Sequence, residues 1–140
     1  MATTPWVVDT CLLIDVLDDD PEFGRASARL LDAHRGDGLA LCPLTYVELS
    51  PAFEGSRQLE DEFLAAVGVD SSADWRHADT LAAHAGWARH VQRRRGGERG
   101  KRPIADVLIG AFALRFRGLL TRDPAGFRAT YPELSLVAPG

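Results

Sequence analysis

A single lysine, a single methionine and only two cysteines stand in a chain of 140 residues. Cys11 and Cys42 both lie in apolar surroundings and have no C-x-x-C neighbour. That spacing offers neither a disulfide framework nor a thiolate zinc cluster, and both are expected as buried, reduced thiols. The four histidines, His34, His77, His84 and His90, form no i,i+4 pair, which removes the usual helical zinc site. No apolar run reaches the roughly 18 residues of a membrane span. The stretch "MATTPWVVDTCLLIDVL" has no basic leader and is broken by Asp9 and Asp15, so it does not read as a signal peptide. A cytoplasmic protein with no membrane association is expected. No internal repeat, low-complexity tract or interdomain linker stands out.

What is present fits one ordinary globular domain over residues 1–140, with 46% hydrophobic and 26% charged residues. The net charge of −4 excludes a polycation, but the charge is uneven. "DVLDDD" (15–20) is acidic. "RRRGGERGKR" (93–102), with Arg89 just upstream, holds seven of the sixteen basic residues. Two readings stand side by side: a solvated loop, or a phosphate-contacting surface using Arg95, Arg99, Lys101 and Arg102.

Periodicity predicts strands at 6–9, 39–42, 118–121 and 134–138, with a weak edge strand within 67–72. Helices are expected over 10–17, from Pro21 to before Gly36, from Pro43 to about Phe53, over 56–68, from about Asp74 to Arg94, and from Pro103 to about Phe116. A short helix or turn follows Asp123. Strands alternating with helices imply an α/β fold: a three-layer α/β/α sandwich on a mostly parallel sheet of four to five strands. Ligands in such sheets bind beyond the carboxyl ends of the strands.

Four acids fall in that region. Asp9 ends the first strand in "VVDT", Glu48 lies in "LTYVELS", Asp106 in the apolar "RPIADVLIG", and Asp123 follows the strand in "LLTRDP". Each has a bland explanation. Asp9 and Asp123 can cap the helices that follow, Asp106 suits a first helical turn, and Glu48 can face solvent. Together they weigh differently, because parallel topology brings all four to one end of the sheet. Clustered carboxylates repel, and the economical counter-charge is a hard divalent cation. With no His or Cys cluster, Mg²⁺ is favoured, with Mn²⁺ as a substitute. A site of this kind activates water and stabilises in-line displacement at phosphorus. Asp15 is expected on a solvated face of the first helix, and Asp18–Asp20 as a turn and cap. Trp6, Trp75 and Trp87 are expected in the core or an interface.

At these residues the sequence resembles the PIN-domain family, and within it the VapC-like toxins of bacterial type II toxin–antitoxin systems. "VVDTCLLIDVL", "LTYVELS", "KRPIADVLIGAFAL" and "LLTRDPAGF" stand in family order across nearly the whole chain. The resemblance implies that Asp9, Glu48 and Asp106 hold the metal, with Asp123 at a fourth acidic position. It implies that Thr10 and Thr121, the neighbouring hydroxyls, help to position water. It further implies an α/β/α sandwich, Mg²⁺-dependent endoribonuclease activity on structured RNA, homodimerisation and a cognate antitoxin partner. Leu12, Leu13, Val16, Phe23 and the Leu59–Phe63 segment are expected either to line a groove for an amphipathic antitoxin peptide or to belong to the core. Competing readings are a housekeeping RNA-processing nuclease and a PIN-like module that binds without cutting. A receiver-like phosphoacceptor fits poorly: Thr10 and Cys11, not acids, follow Asp9, and the one lysine precedes a helix.

Overall fold

The computed structural model describes residues 4–95 and 104–140. Its centre is a five-stranded sheet in which every pairing is parallel. The strands are β1 (Trp6–Val8), β2 (Leu39–Ala40), β3 (Val69–Asp70), β4 (Gly118–Leu120) and β5 (Leu136–Val137), in the order β3-β2-β1-β4-β5. The chain builds outward from β1 on one side, then returns to build on the other. The boundary between β1 and β4 is therefore the topological switch point, where connections leave in opposite directions and open a crevice. Val8 pairs with Leu120 there, so the residues just past both strands share one rim.

The strands are short and apolar because both faces are covered. Val7 and Leu119 join a core with α5 (His77–Arg95), α6 (Ile104–Ala113) and α7 (Pro124–Thr130). Val8 and Leu120 join a second core with α1 (Thr10–Leu17), α2 (Gly24–His34) and α4 (Arg57–Ala66). Alternation along two-residue steps thus feeds two separate cores, giving the expected three-layer sandwich. The weak segment at 67–72 does form an edge strand, β3.

Several boundaries differ from the periodicity, with local causes. The helix from Pro43 stops at Glu48 (α3, Pro43–Glu48), and Ser50–Phe53 continues as a 3-10 turn. Pro51 has no N–H to extend an α-helical ladder. The helix expected from Asp74 begins at His77, where the Asp79 carboxylate accepts the Arg76 backbone N–H at 2.9 Å. Asp20 accepts from the backbone N–H groups of Glu22 and Phe23 at 2.9 and 2.8 Å, as the turn reading required. These bonds hold its carboxyl below the usual carboxylate range. Leu12 and Leu13 are fully buried and belong to the core, not to a groove. Val16, Phe23 and Phe63 are half-buried, and Leu59 is exposed. Cys42 is buried, and burial pushes its thiol up to about 11. No helix among the described residues is long and apolar enough to cross a membrane.

Candidate active site

Beyond the carboxyl ends of β1 and β4 lies a pocket of about 370 Å³. Asp9, Glu48, Asp106 and Asp123 all line it, from four separate segments of the chain. Asp9 is the residue after β1. It occupies the cap position of α1, but its carboxylate makes no cap hydrogen bond. Instead Asp9 Oδ2 accepts from Thr121 Oγ1 at 2.7 Å and from Cys11 Sγ at 3.4 Å. Its own backbone N–H donates to Leu120 O at 3.0 Å, which ties the β1 exit to the β4 exit. The capping explanation therefore fails for Asp9. The side chain is drawn across the switch point toward β4.

Glu48 is the last residue of α3 and is exposed. Its Oε1 accepts from Thr10 Oγ1 at 2.8 Å, and Thr10 Oγ1 lies 3.0 Å from Thr45 Oγ1. Thr10 and Thr45 are buried, so this hydroxyl pair fixes the carboxylate from beneath. Asp106 stands in the first turn of α6, half-buried, where a carboxylate suits the positive end of the helix dipole. Asp123 keeps the role the sequence allows it as a cap: its Oδ1 accepts from Gly126 N at 3.4 Å ahead of α7. Its backbone N–H donates to Thr121 Oγ1 at 3.0 Å. Thr121 thus serves two acids at once, orienting Asp9 with its proton and Asp123 through its oxygen.

Four lining residues, Cys11, Ile14, Arg122 and Phe127, carry no signal that sequence reasoning used. Cys11 faces the pocket as a thiol donor to Asp9; burial, with the Asp9 charge, pushes it up to about 12. Phe127, on α7, supplies a buried apolar floor. Arg122 brings a guanidinium to the rim. Its partner is Asp15, which is 3% exposed and not on a solvated face: Arg122 Nε pairs with Asp15 Oδ2 at 2.7 Å. Nothing in the spacing of Asp15 marks this, because the pairing spans the whole chain. The position of Arg122 between Thr121 and Asp123 was the available clue.

The proposed basic contacts Arg99, Lys101 and Arg102 lie outside the described residues, as does the side chain of Arg95 at the end of α5. The expected helix start at Pro103 lies outside them too.

The donors that face the pocket are carboxylate and hydroxyl oxygens, with one protonated thiol and no imidazole among the described lining residues. That donor set suits a hard cation such as Mg²⁺ better than Zn²⁺. Among the described residues no three acidic, histidine or cysteine side chains are gathered closely enough to hold a metal ion as they stand. The acids stand around an open cleft, which leaves room for water and substrate.

A family model described as PIN domain matches residues 6–131. The chain belongs to the PIN-domain family. The matched span runs from the start of β1 past the end of α7, so the four acids of this PIN domain all fall within it. The fold is similar to that of a solved structure described as VapBC2 from Rickettsia felis bound to a DNA fragment from their promoter. That likeness covers 96% of this chain and 98% of the other, with a TM-score of 0.66 and 14% identity, and at that identity it is a likeness of fold. Comparison with curated proteins returned no match.

Proposed function

We propose that this PIN domain, one domain over residues 1–140, is a metal-dependent endoribonuclease and the toxin partner of a type II toxin–antitoxin pair. In this reading it cleaves phosphodiester bonds in structured RNA, in the cytoplasm, as a homodimer. One observation carries the reading: four carboxylates from four separate segments line a single pocket at the switch point of a parallel sheet. Family membership supports nuclease chemistry. The VapBC2 likeness supports an antitoxin partner at the level of fold.

Asp9, Glu48 and Asp106 would hold Mg²⁺, or Mn²⁺ in its place, with Asp123 beside them. When bound, the cation supplies charge neutralisation and Lewis acidity for displacement at phosphorus. The remaining tasks fall to the chain. Thr121 and Thr10 fix the orientations of Asp9 and Glu48, so that neither has to be ordered when substrate arrives. Glu48 or Asp106 takes the proton from the attacking water as its oxygen bonds to phosphorus and a ribose oxygen leaves. The open cleft admits a polymer rather than enclosing a small molecule.

The decisive experiment is sequencing of cellular RNA ends after brief induction of wild type and of Asp9→Asn. New ends at defined sites with wild type only are expected. Identical ends from both proteins would overturn the reading. For the partner, an amphipathic helix is proposed to dock on Val16, Phe23, Leu59 and Phe63. Phe63 also packs against the core beside Phe53, so the exposed Leu59 gives the cleaner test: Leu59→Ala is expected to weaken antitoxin binding with an unchanged melting temperature.

A further inference from the structure

Arg122 is the only cation among the described residues that line the acid pocket, and its surroundings fix it there. Nε pairs with Asp15 Oδ2 at 2.7 Å. Asp15 is in turn held by Ser27, whose hydroxyl donates to the same oxygen at 2.9 Å. The guanidinium carbon lies 4.2 Å from the centre of the Phe23 ring, so one planar face is stacked. Nη1 and Nη2 make no hydrogen bond among the described residues, and a third of the side chain (33%) is exposed. Arg115 provides the contrast. Its Nε and Nη2 engage both oxygens of Asp79 at 2.6 and 2.9 Å, and Nη2 also reaches Asp74 O at 2.8 Å. Arg115, away from the pocket, thus turns two of its nitrogens onto protein oxygens. Arg122 is held by one nitrogen and one face, and keeps the edge that suits paired oxygens.

We propose that Arg122 is a phosphate-binding residue of this pocket, and that Asp15 and Phe23 are positioning residues that aim it. Its Nη edge engages a non-bridging oxygen of an RNA phosphodiester. The fit is chemical: a phosphodiester is anionic, and a guanidinium fixed on the rim of the pocket offers it charge and paired donors. A buried Asp15 is then intelligible, because orienting a long flexible side chain needs a rigid anchor of opposite charge. The inference rests on the nuclease reading above, and deepens it.

Removing Arg122 alone leaves Asp15 buried without its cation, so Arg122→Gln is combined with Asp15→Asn to keep the fold, checked by thermal melting. Binding of a short fluorescein-labelled single-stranded RNA is followed by anisotropy over a salt series. The measurements use the cleavage-deficient Asp9→Asn background with Mg²⁺ present. The double substitution is expected to weaken binding about tenfold and to lower the slope of log K against log salt by about 0.7, the loss of one phosphate contact. Mn²⁺ titration of the same pair without the Asp9 change should give equal affinities. A folded double variant with unchanged RNA affinity and slope overturns the inference and leaves the nuclease reading standing. A second probe, dimethyl phosphate, is titrated against the Arg122 Nε–H resonance in the otherwise wild-type protein. A saturable shift in a protein that binds no RNA supports the anion site and removes the nuclease reading. No shift and no RNA binding overturns both.

Discussion

Asp79 and Asp9 are both buried carboxylates, 1% and 6% exposed, yet their surroundings treat them in opposite ways. Asp79 is completed by the protein. Arg115 takes both of its oxygens, and the Arg76 backbone N–H donates to one of them. The Asp79 carboxylate in turn pushes the Arg115 guanidinium above its ordinary value. Asp9 accepts from the Thr121 hydroxyl and the Cys11 thiol, and it lines an open pocket with three other acids. Burial by itself therefore does not mark a functional acid. The mark is the space the group faces: Asp9 lines a pocket shared with three other acids, and Asp79 does not.

The comparison predicts opposite profiles for two substitutions. Asp9→Asn is expected to lower RNA cleavage at least about a thousandfold, roughly 4 kcal/mol of transition-state stabilisation. Its stability should stay within about 0.5 kcal/mol of wild type, because Thr121 can still donate to the amide oxygen. Turnover on RNA and urea denaturation measure the two sides. Asp79→Ala should do the reverse. It removes one partner of a buried pair and costs about 3 kcal/mol, the low end of the usual range because Arg115 is partly exposed, at 21%. The folded fraction should cleave RNA normally. If Asp9→Asn unfolds the protein, or Asp79→Ala costs nothing, the distinction between the two acids collapses.

A third substitution tests the packing behind the acids. Gly110 of α6 lies against Tyr131 and Phe127: an added Cβ would come within 2.6 Å of the Tyr131 ring and 3.2 Å of the Phe127 ring. Tyr131 is fully buried and donates to Val107 O at 2.6 Å, so it has little room to yield. Gly110→Ala is expected to cost about 1–3 kcal/mol by overpacking, read from the midpoint of urea denaturation. Since α6 carries Asp106 and Phe127 lines the pocket, a fall in cleavage beyond that due to unfolding would show that the pocket acids depend on this packing.

Much of this was legible in the sequence, for identifiable reasons. The sandwich could be read because each strand is a short apolar run and each helix ends at glycine or proline punctuation. The four acids could be placed at one rim because parallel topology fixes which end of each strand faces a ligand, as with Asp9 after β1 and Asp123 after β4. Asp15 was misread as solvated because its partner, Arg122, lies 107 positions away in the chain. No local pattern records such a pair. Leu12 and Leu13 were ambiguous for a related reason: helical spacing shows that a face is apolar, but not whether the sheet or a partner covers it. Here the sheet does, through the core that contains Val8 and Leu120.

Glu60 is a buried acid of a third kind. It is 2% exposed on α4, away from the pocket, and its Oε2 makes no hydrogen bond among the described residues. Burial, with the nearby Asp61 charge, raises its pKa above the ordinary 4.5. A raised folded-state value means that the folded protein favours the neutral acid. Its contribution to stability is then fully present below pH 4.5 and is lost as pH rises through the folded value. At neutral pH the wild type carries a charge that neither an arginine nor a pocket accommodates. Glu60→Gln should therefore stabilise the protein at neutral pH, by no more than about 1 kcal/mol, and the gain should vanish below the ordinary carboxylate value. Urea denaturation of both proteins in the two pH regimes checks this. A gain that persists in acid would assign the effect to packing instead of ionisation. A gain confined to neutral pH would place Glu60 as the acid that burial alone governs, between one completed by an arginine and one turned toward a site.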